Sequence, residues 1–210
     1  MMKSINIATF LALIVFFIAS TPSVAQQVPT NAADVQPILI GSQIPDVTIK
    51  TAEGNDVQLR DVVAQKPTVL IFYRGGWCPF CNRHMAELNS IQGDLVNEGY
   101  QVIAISPDRP EKLQQSVAQH SLSYTLYSDS PMTATAGFGV AFKVDERTVN
   151  RYKQTGLDIE GDSGYDHHML PVPSVFLLNQ EGIVNFKYVN PDYRERLKSD
   201  VLIAAAKAYK

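Results

Sequence analysis

Apolar residues along this chain occur as short unbroken runs separated by polar turns, with a few stretches of helical spacing between them. The densest run is Val69-Leu70-Ile71-Phe72-Tyr73, rich in β-branched and aromatic residues, which predicts a strand buried on both faces. Gly75 and Gly76 break the run and permit a tight bend. Beyond Cys81 the pattern changes period. Met85, Leu88, Ile91 and Leu95 recur three and four residues apart, predicting a helix over residues 79–97 that stops at Gly99. Upstream, residues 47–49 and 57–59 flank Glu53-Gly54-Asn55 and predict a β-hairpin, followed by a helical turn over 61–64. Downstream, strands are expected at 102–105, 124–127, 174–178 and 183–189, with helices over 110–120 and 131–137. A last helix is expected to be capped by Asp192 and to run to Lys210, with Leu197, Val201, Ala204, Ala205 and Ala208 on its apolar side. Residues 150–169 show no clear period and read as a long loop or insertion near the functional site. This succession predicts an α/β fold, a mixed central sheet with helices on both faces and an N-terminal hairpin extension.

The first 25 residues follow different rules. Lys3 precedes an uncharged apolar core over residues 7–19, and Ser23-Val24-Ala25 places small residues at the −3 and −1 positions before Gln26. That is the pattern of a cleaved signal peptide, residues 1–25. The core falls short of the roughly 20 residues a spanning helix needs. The expectation is an exported protein, periplasmic if bacterial and otherwise secreted, with no membrane attachment after cleavage. Residues 26–40 are polar and expected to be a flexible lead-in to one domain over 41–210. The sequence of 210 residues is 45% hydrophobic and 19% charged, with a formal net charge of −3. It has no basic surplus of the kind that nucleic-acid binding requires.

The chain has two cysteines, Cys78 and Cys81, with Pro79 between them, at the predicted junction of strand and helix. The first turn of a helix carries N–H groups without intrahelical partners and a partial positive charge, which favour a thiolate. Pro79 suits the first helical position, where its missing N–H is not needed. Cys78 is therefore expected to be the exposed nucleophile of lowered pKa, and Cys81, one turn in, to attack a mixed disulfide formed on it. As a structural staple, a bridge this short restrains the unfolded chain little. A zinc site needs about four ligands, and His84 is the one additional donor nearby. The pair reads as a redox-active dithiol. Trp77 is expected at its rim or in the core, and Arg83 and His84 toward solvent. Asp166-His167-His168 reads as ordinary loop, since adjacent histidines are seldom co-ligands. Pro173 precedes a strand, where a proline costs no ladder hydrogen bond. From local sequence the Val172–Pro173 bond is either cis or trans.

A Cys-x-x-Cys at a strand-to-helix turn, with a proline opening a later hairpin, resembles the thioredoxin fold. That resemblance implies that Pro173 is cis and faces the dithiol. The likeness extends over residues 41–210. Phe72-Tyr73-Arg74-Gly75-Gly76-Trp77-Cys78-Pro79-Phe80-Cys81, Ala104-Ile105-Ser106-Pro107-Asp108, Ser128-Asp129 and Leu170-Pro171-Val172-Pro173-Ser174-Val175-Phe176 follow in order. Together they resemble the peroxiredoxin-like branch of the alkyl hydroperoxide reductase/thiol-specific antioxidant family. The resemblance implies thiol-based reduction of a hydroperoxide or of a protein disulfide, with a thioredoxin-like dithiol as electron donor. It implies a Cys78–Cys81 disulfide in turnover and no metal or organic cofactor. Two positions depart from the family. Its Pro-x-x-x-Thr/Ser-x-x-Cys motif would place the threonine at Gly75 if Cys78 attacks. If Cys81 attacks, it falls on Cys78, with Arg74 in place of the proline. Typical members also carry an arginine where this chain has Pro173. Arg74 is then the candidate cation for a peroxidase, and a dithiol–disulfide exchanger is the competing expectation.

Overall fold

The fold is that of a computed structural model, which describes residues 27–120 and 122–209. The predicted signal peptide, residues 1–25, lies outside the described residues. The framework is a seven-stranded mixed sheet. Its strands in chain order are β1 (Thr48–Thr51), β2 (Asp56–Gln58), β3 (Thr68–Phe72), β4 (Gln101–Ser106), β5 (Thr125–Ser128), β8 (Ser174–Leu178) and β9 (Val184–Val189). In space they lie β2-β1-β5-β4-β3-β8-β9. β3 pairs parallel with β4, Val69 opposite Val102, and antiparallel with β8, Phe72 opposite Ser174. All five β3 residues are buried, as the unbroken apolar run requires for a strand with both faces covered.

Alternate residues of β3 feed two cores. Val69 and Ile71 face α2 (Pro79–Asn97) and α7 (Ser199–Ala208), packing with Met85, Leu88, Leu95, Leu202 and Ala206. Leu70 and Phe72 face the other way, toward α1 (Leu59–Val63) and α4 (Thr133–Gly137), where Phe72, Phe138 and Phe176 form a tilted and edge-on ring cluster at 5.0–6.1 Å. The period-2 alternation of a strand places the two sets on opposite sides. α3 (Pro110–His120) follows β4 and connects it to its parallel neighbour β5.

Residues 150–169 form an insertion with helices of its own and not a featureless loop. They belong to an excursion between β6 (Ala141–Lys143) and β7 (Met169–Pro171), which pair antiparallel and close its neck. Inside it lie α5 (Glu146–Gln154) and α6 (Ile159–Ser163), gathered around Val144, Val149, Ile159 and Leu170. α5 escapes a periodicity reading because Val149 is its one buried residue. Its start is set instead by Asp145, whose side chain accepts from the Thr148 N–H at 3.0 Å. The described part of the lead-in, residues 27–40, makes hydrogen bonds to the domain. Pro29 and Phe138 carbonyls bond Lys143 and Ile38 N–H groups, and Lys187 Nζ donates to the carbonyls of Pro37 and Ile38. The final helix starts at Ser199, not at Asp192. Asp192 instead pairs with Arg194 in a turn, and the shifted start buries Leu202 and Ala206 while Val201 is exposed.

Candidate functional site

The chain leaves β3 at Tyr73, bends through Gly75 and Gly76, and enters α2 at Cys78, the N-cap, with Pro79 as the first helical residue. Gly75 has φ +141°, and a Cβ there would meet Trp77 Nε1 at 2.4 Å and Asp108 Oδ1 at 2.7 Å. The position thus excludes the threonine that the family motif would place there. The bend is pinned from outside. Asp108 accepts the Gly76 N–H at 2.7 Å, Asn82 Nδ2 donates to the Gly76 carbonyl at 2.9 Å, and the Cys78 N–H donates to the Gly75 carbonyl at 3.1 Å. Asp108 is almost wholly buried, and burial raises its pKa to about 7. Asp129 plays the same kind of part farther along the sheet, accepting from Ala134 N, Thr135 N and Thr135 Oγ1 at the start of α4. Both aspartates belong to short motifs singled out in the sequence, and both act by holding backbone.

Cys78 and Cys81 sit together as thiols. The Cys81 side chain hydrogen-bonds Cys78 and is the main cause of the lowered Cys78 pKa, about 6; the Cys81 backbone N–H and the guanidinium groups of Arg74 and Arg196 act in the same direction, against burial. Cys81 moves the other way. Burial pushes its thiol well up, and the hydrogen bond and charge of Cys78 push it further. The two sulfurs thus share one negative charge, held on the outer one, as the helix-terminus argument anticipates.

The expectation that Cys78 is exposed is corrected: both cysteines are 1% exposed. The chain that returns after β9 packs against the residues around them. Tyr193 contacts Phe80 edge-on at 5.5 Å and lies 4.3 Å from the Arg74 guanidinium; Arg196 Nη2 reaches Cys81 Sγ at 3.6 Å. Local spacing around the cysteines carries no sign of a segment more than a hundred residues away. Tyr193, Arg196 and Tyr152, which binds Arg74 Nη2 through its hydroxyl at 2.9 Å, are site residues that sequence reasoning missed.

Arg74 is buried, its guanidinium held between Trp77 at 5.0 Å and Tyr193. Trp77 is half-buried and bridges the dithiol core to the small core of the α5–α6 excursion, through Tyr152 at 6.4 Å. Pro79 is exposed at the mouth of α2. Pro173 is buried, but the Val172–Pro173 bond is trans, as are all peptide bonds among the described residues. Val172 N–H donates to the Val140 carbonyl and the Pro173 carbonyl accepts from Asn190 N–H, so the chain runs extended from β7 into β8 and makes no sharp turn. Pro173 shares with Arg74 and Tyr152 a cavity of about 250 Å³, which neither cysteine lines.

Arg83 is exposed, as expected, over the Phe80 ring. His84 is not: it is buried, and burial with the Arg196 charge lowers its pKa to about 4, leaving it neutral. His167 is structural, accepting the Met169 N–H at Nδ1 and therefore donating from Nε2 to the Ser130 carbonyl; His168 pairs with Glu160.

The AhpC/TSA family model matches residues 40–187. The chain belongs to the AhpC/TSA family, whose model covers most of the domain that holds the dithiol. Two Mycobacterium tuberculosis proteins that carry the peroxiredoxin name are 30% identical over 99 residues, a match spanning 47% of this chain and 62% of theirs. Escherichia coli peroxiredoxin Bcp is 29% identical over 106 residues, covering 50% of this chain and 67% of that protein. The thiol-disulfide oxidoreductase ResA of Halalkalibacterium halodurans is 25% identical over 101 residues, covering 48% of this chain and 56% of that one. Among solved structures, peroxidoxin BcpB from Mycobacterium tuberculosis superposes with a TM-score of 0.63 at 18% identity, over 81% of this chain and 97% of that one. The thioredoxin-like peroxiredoxin fold is therefore shared.

Proposed function

We propose that this protein is an exported thiol-dependent peroxidase that cycles Cys78 and Cys81 through a disulfide. The observation that carries the reading is the pair of adjacent sulfurs at the mouth of α2, one with a pKa lowered to about 6, beside two guanidinium groups. Cys78 thiolate attacks the distal oxygen of a hydroperoxide. The O–O bond breaks, the leaving alkoxide or hydroxide takes a proton, and Cys78 becomes a sulfenic acid. Cys81 then attacks the Cys78 sulfur. The S–O bond breaks, water leaves with the Cys81 proton, and the disulfide forms. A thioredoxin-like dithiol supplies two electrons and two protons to restore both thiols. No organic cofactor or metal enters these steps. Export rests on the pattern of residues 1–25, and places turnover in the periplasm if the source is bacterial.

Purified protein consuming hydrogen peroxide with a dithiol reductant, and losing that activity in Cys78→Ser, is the expected result. Absence of peroxide consumption with any dithiol donor refutes the reading. N-terminal sequencing of protein recovered from an exported fraction tests cleavage before Gln26. A second reading, exchange with disulfides of exported proteins, is favoured by Gly75 and Pro173, which stand where a peroxidase of this family has its threonine and arginine. Comparing rates on peroxide and on a protein disulfide separates the two.

A further inference from the structure

We infer that Arg196, from the turn that precedes α7, is the catalytic cation that turns Cys81 into the second nucleophile once Cys78 has been oxidised. The inference rests on the dithiol reading above and assigns a role to a residue outside the cysteine motif. The geometry is direct. Arg196 Nη2 donates to Cys81 Sγ at 3.6 Å, the one hydrogen bond from an arginine side chain to a cysteine sulfur among the described residues. Its other terminal nitrogen, Nη1, is held by the carbonyls of Tyr193 and Glu195. The turn carrying it is itself fixed. Asp192 binds the Arg194 guanidinium through two oxygens and accepts the Arg194 N–H, while Asn190 Oδ1 accepts the Asp192 N–H. Among the described residues no carboxylate makes an ion pair with Arg196; Asp192, bound to Arg194, is the nearby carboxylate that feels its charge. A planar guanidinium fixed this way is oriented before the reaction begins.

The groups facing Cys81 decide when that charge acts. Cys78 faces it from the helix mouth, Tyr73 from the end of β3 and Arg196 from beyond β9, and the Arg74 backbone hydrogen-bonds it; His84, further along α2, feels the same Arg196 charge. Tyr73 and His84 are neutral, the first by deep burial and the second by burial beside a cation. In the reduced protein burial first, and then the hydrogen bond and charge of the Cys78 thiolate, keep Cys81 protonated. Oxidation of Cys78 to a sulfenic acid removes that negative charge. Arg196 is then the nearest full charge on Cys81, and it favours loss of the proton. The Cys81 thiolate forms the S–S bond as the Cys78 S–O bond breaks, and the departing hydroxide takes the proton as water. Burial still opposes ionisation, so oxidation changes the balance: the Cys78 charge is gone and the Arg196 charge remains.

The test uses the full folded protein. In Cys78→Ala, which removes the neighbouring charge as oxidation does, Cys81 ionisation is followed by thiolate absorbance at 240 nm against pH. Adding Arg196→Met is expected to raise the midpoint by about one pH unit, a roughly tenfold loss of thiolate at fixed pH below it. Arg196→Lys, which keeps the charge, is expected to move it less than half as far. Arg196→Gln, which keeps a donor without the charge, should behave as methionine does and stands in for it if the methionine variant fails to fold. In otherwise native protein given one equivalent of hydrogen peroxide, the neutral variants should hold Cys78 sulfenic acid, trapped by dimedone and weighed by mass spectrometry, about tenfold longer. An unmoved midpoint in folded neutral variants overturns the inference, and so does equal displacement by lysine and glutamine. The titration needs no peroxide, so it decides the role of Arg196 even if the wild-type protein consumes none and the peroxidase reading falls.

Discussion

Replacing Cys81 by alanine should cost Cys78 most of its acidity, and the structure sets how much. The Cys78 thiol titrates near 6 rather than at its ordinary 9.0, and the hydrogen bond from the Cys81 side chain leads the causes. A hydrogen bond to a charged acceptor is worth about 1.5–3 kcal/mol, or roughly one to two pH units on the acceptor's midpoint. The Cys81 backbone N–H and the two guanidinium groups survive the substitution, so the midpoint should stop short of an ordinary thiol, at about 7–8. The sign matters: below the midpoint Cys78 is protonated and slow, above it a thiolate and fast. At pH 6.5 wild-type protein should therefore hold most of Cys78 ionised, and Cys81→Ala a small minority. The difference in 240 nm absorbance between each protein and its Cys78-less counterpart, followed from pH 4 to 10, reads both midpoints. Cys81→Ser keeps an O–H donor and should lie between them. A Cys81→Ala midpoint still near 6 would refute the shared-charge account and leave the helix terminus as the cause.

Further expectations concern the frame of the site. Gly75→Ala forces a Cβ against Trp77 and Asp108 at a positive φ, and should cost about 1–3 kcal/mol in denaturant unfolding while lowering peroxide turnover. Asp108 is held mostly protonated up to about pH 7, whereas the unfolded carboxyl ionises near 3.8; stability should fall as pH rises between these values, by up to about 4 kcal/mol. Asp108→Asn should remove that slope while still accepting from Gly76 N–H, which melting temperatures at pH 5 and pH 8 would show; a slope equal to wild type refutes it. Phe138→Ala empties the centre of the three-ring cluster and should cost about 3–5 kcal/mol in equilibrium unfolding, with the Cys78 titration unchanged.

The buried run at Val69–Tyr73, the glycine bend, the cysteine pair and the helical stripe from Met85 to Leu95 are all local patterns. They fix a strand, a turn and a helix mouth, and with them the place of the dithiol and the fold class. Period alone misread α5, since Glu146–Gln154 buries one side chain and leaves no apolar stripe. It also misplaced the start of α7, because Asp192 has the right chemistry for a cap and spends it on Arg194.

The sequence by itself determined on which element the two sulfurs stand and that they sit at a helix end, because backbone geometry acts within a few residues. The tertiary structure alone decided how those atoms are covered and charged. A trans Pro173, the closure by Tyr193 and the guanidinium of Arg196 on Cys81 all come from segments about ninety or more residues away in the chain. Desolvation and Coulomb effects depend on distance in space, and no spacing along a chain encodes that directly.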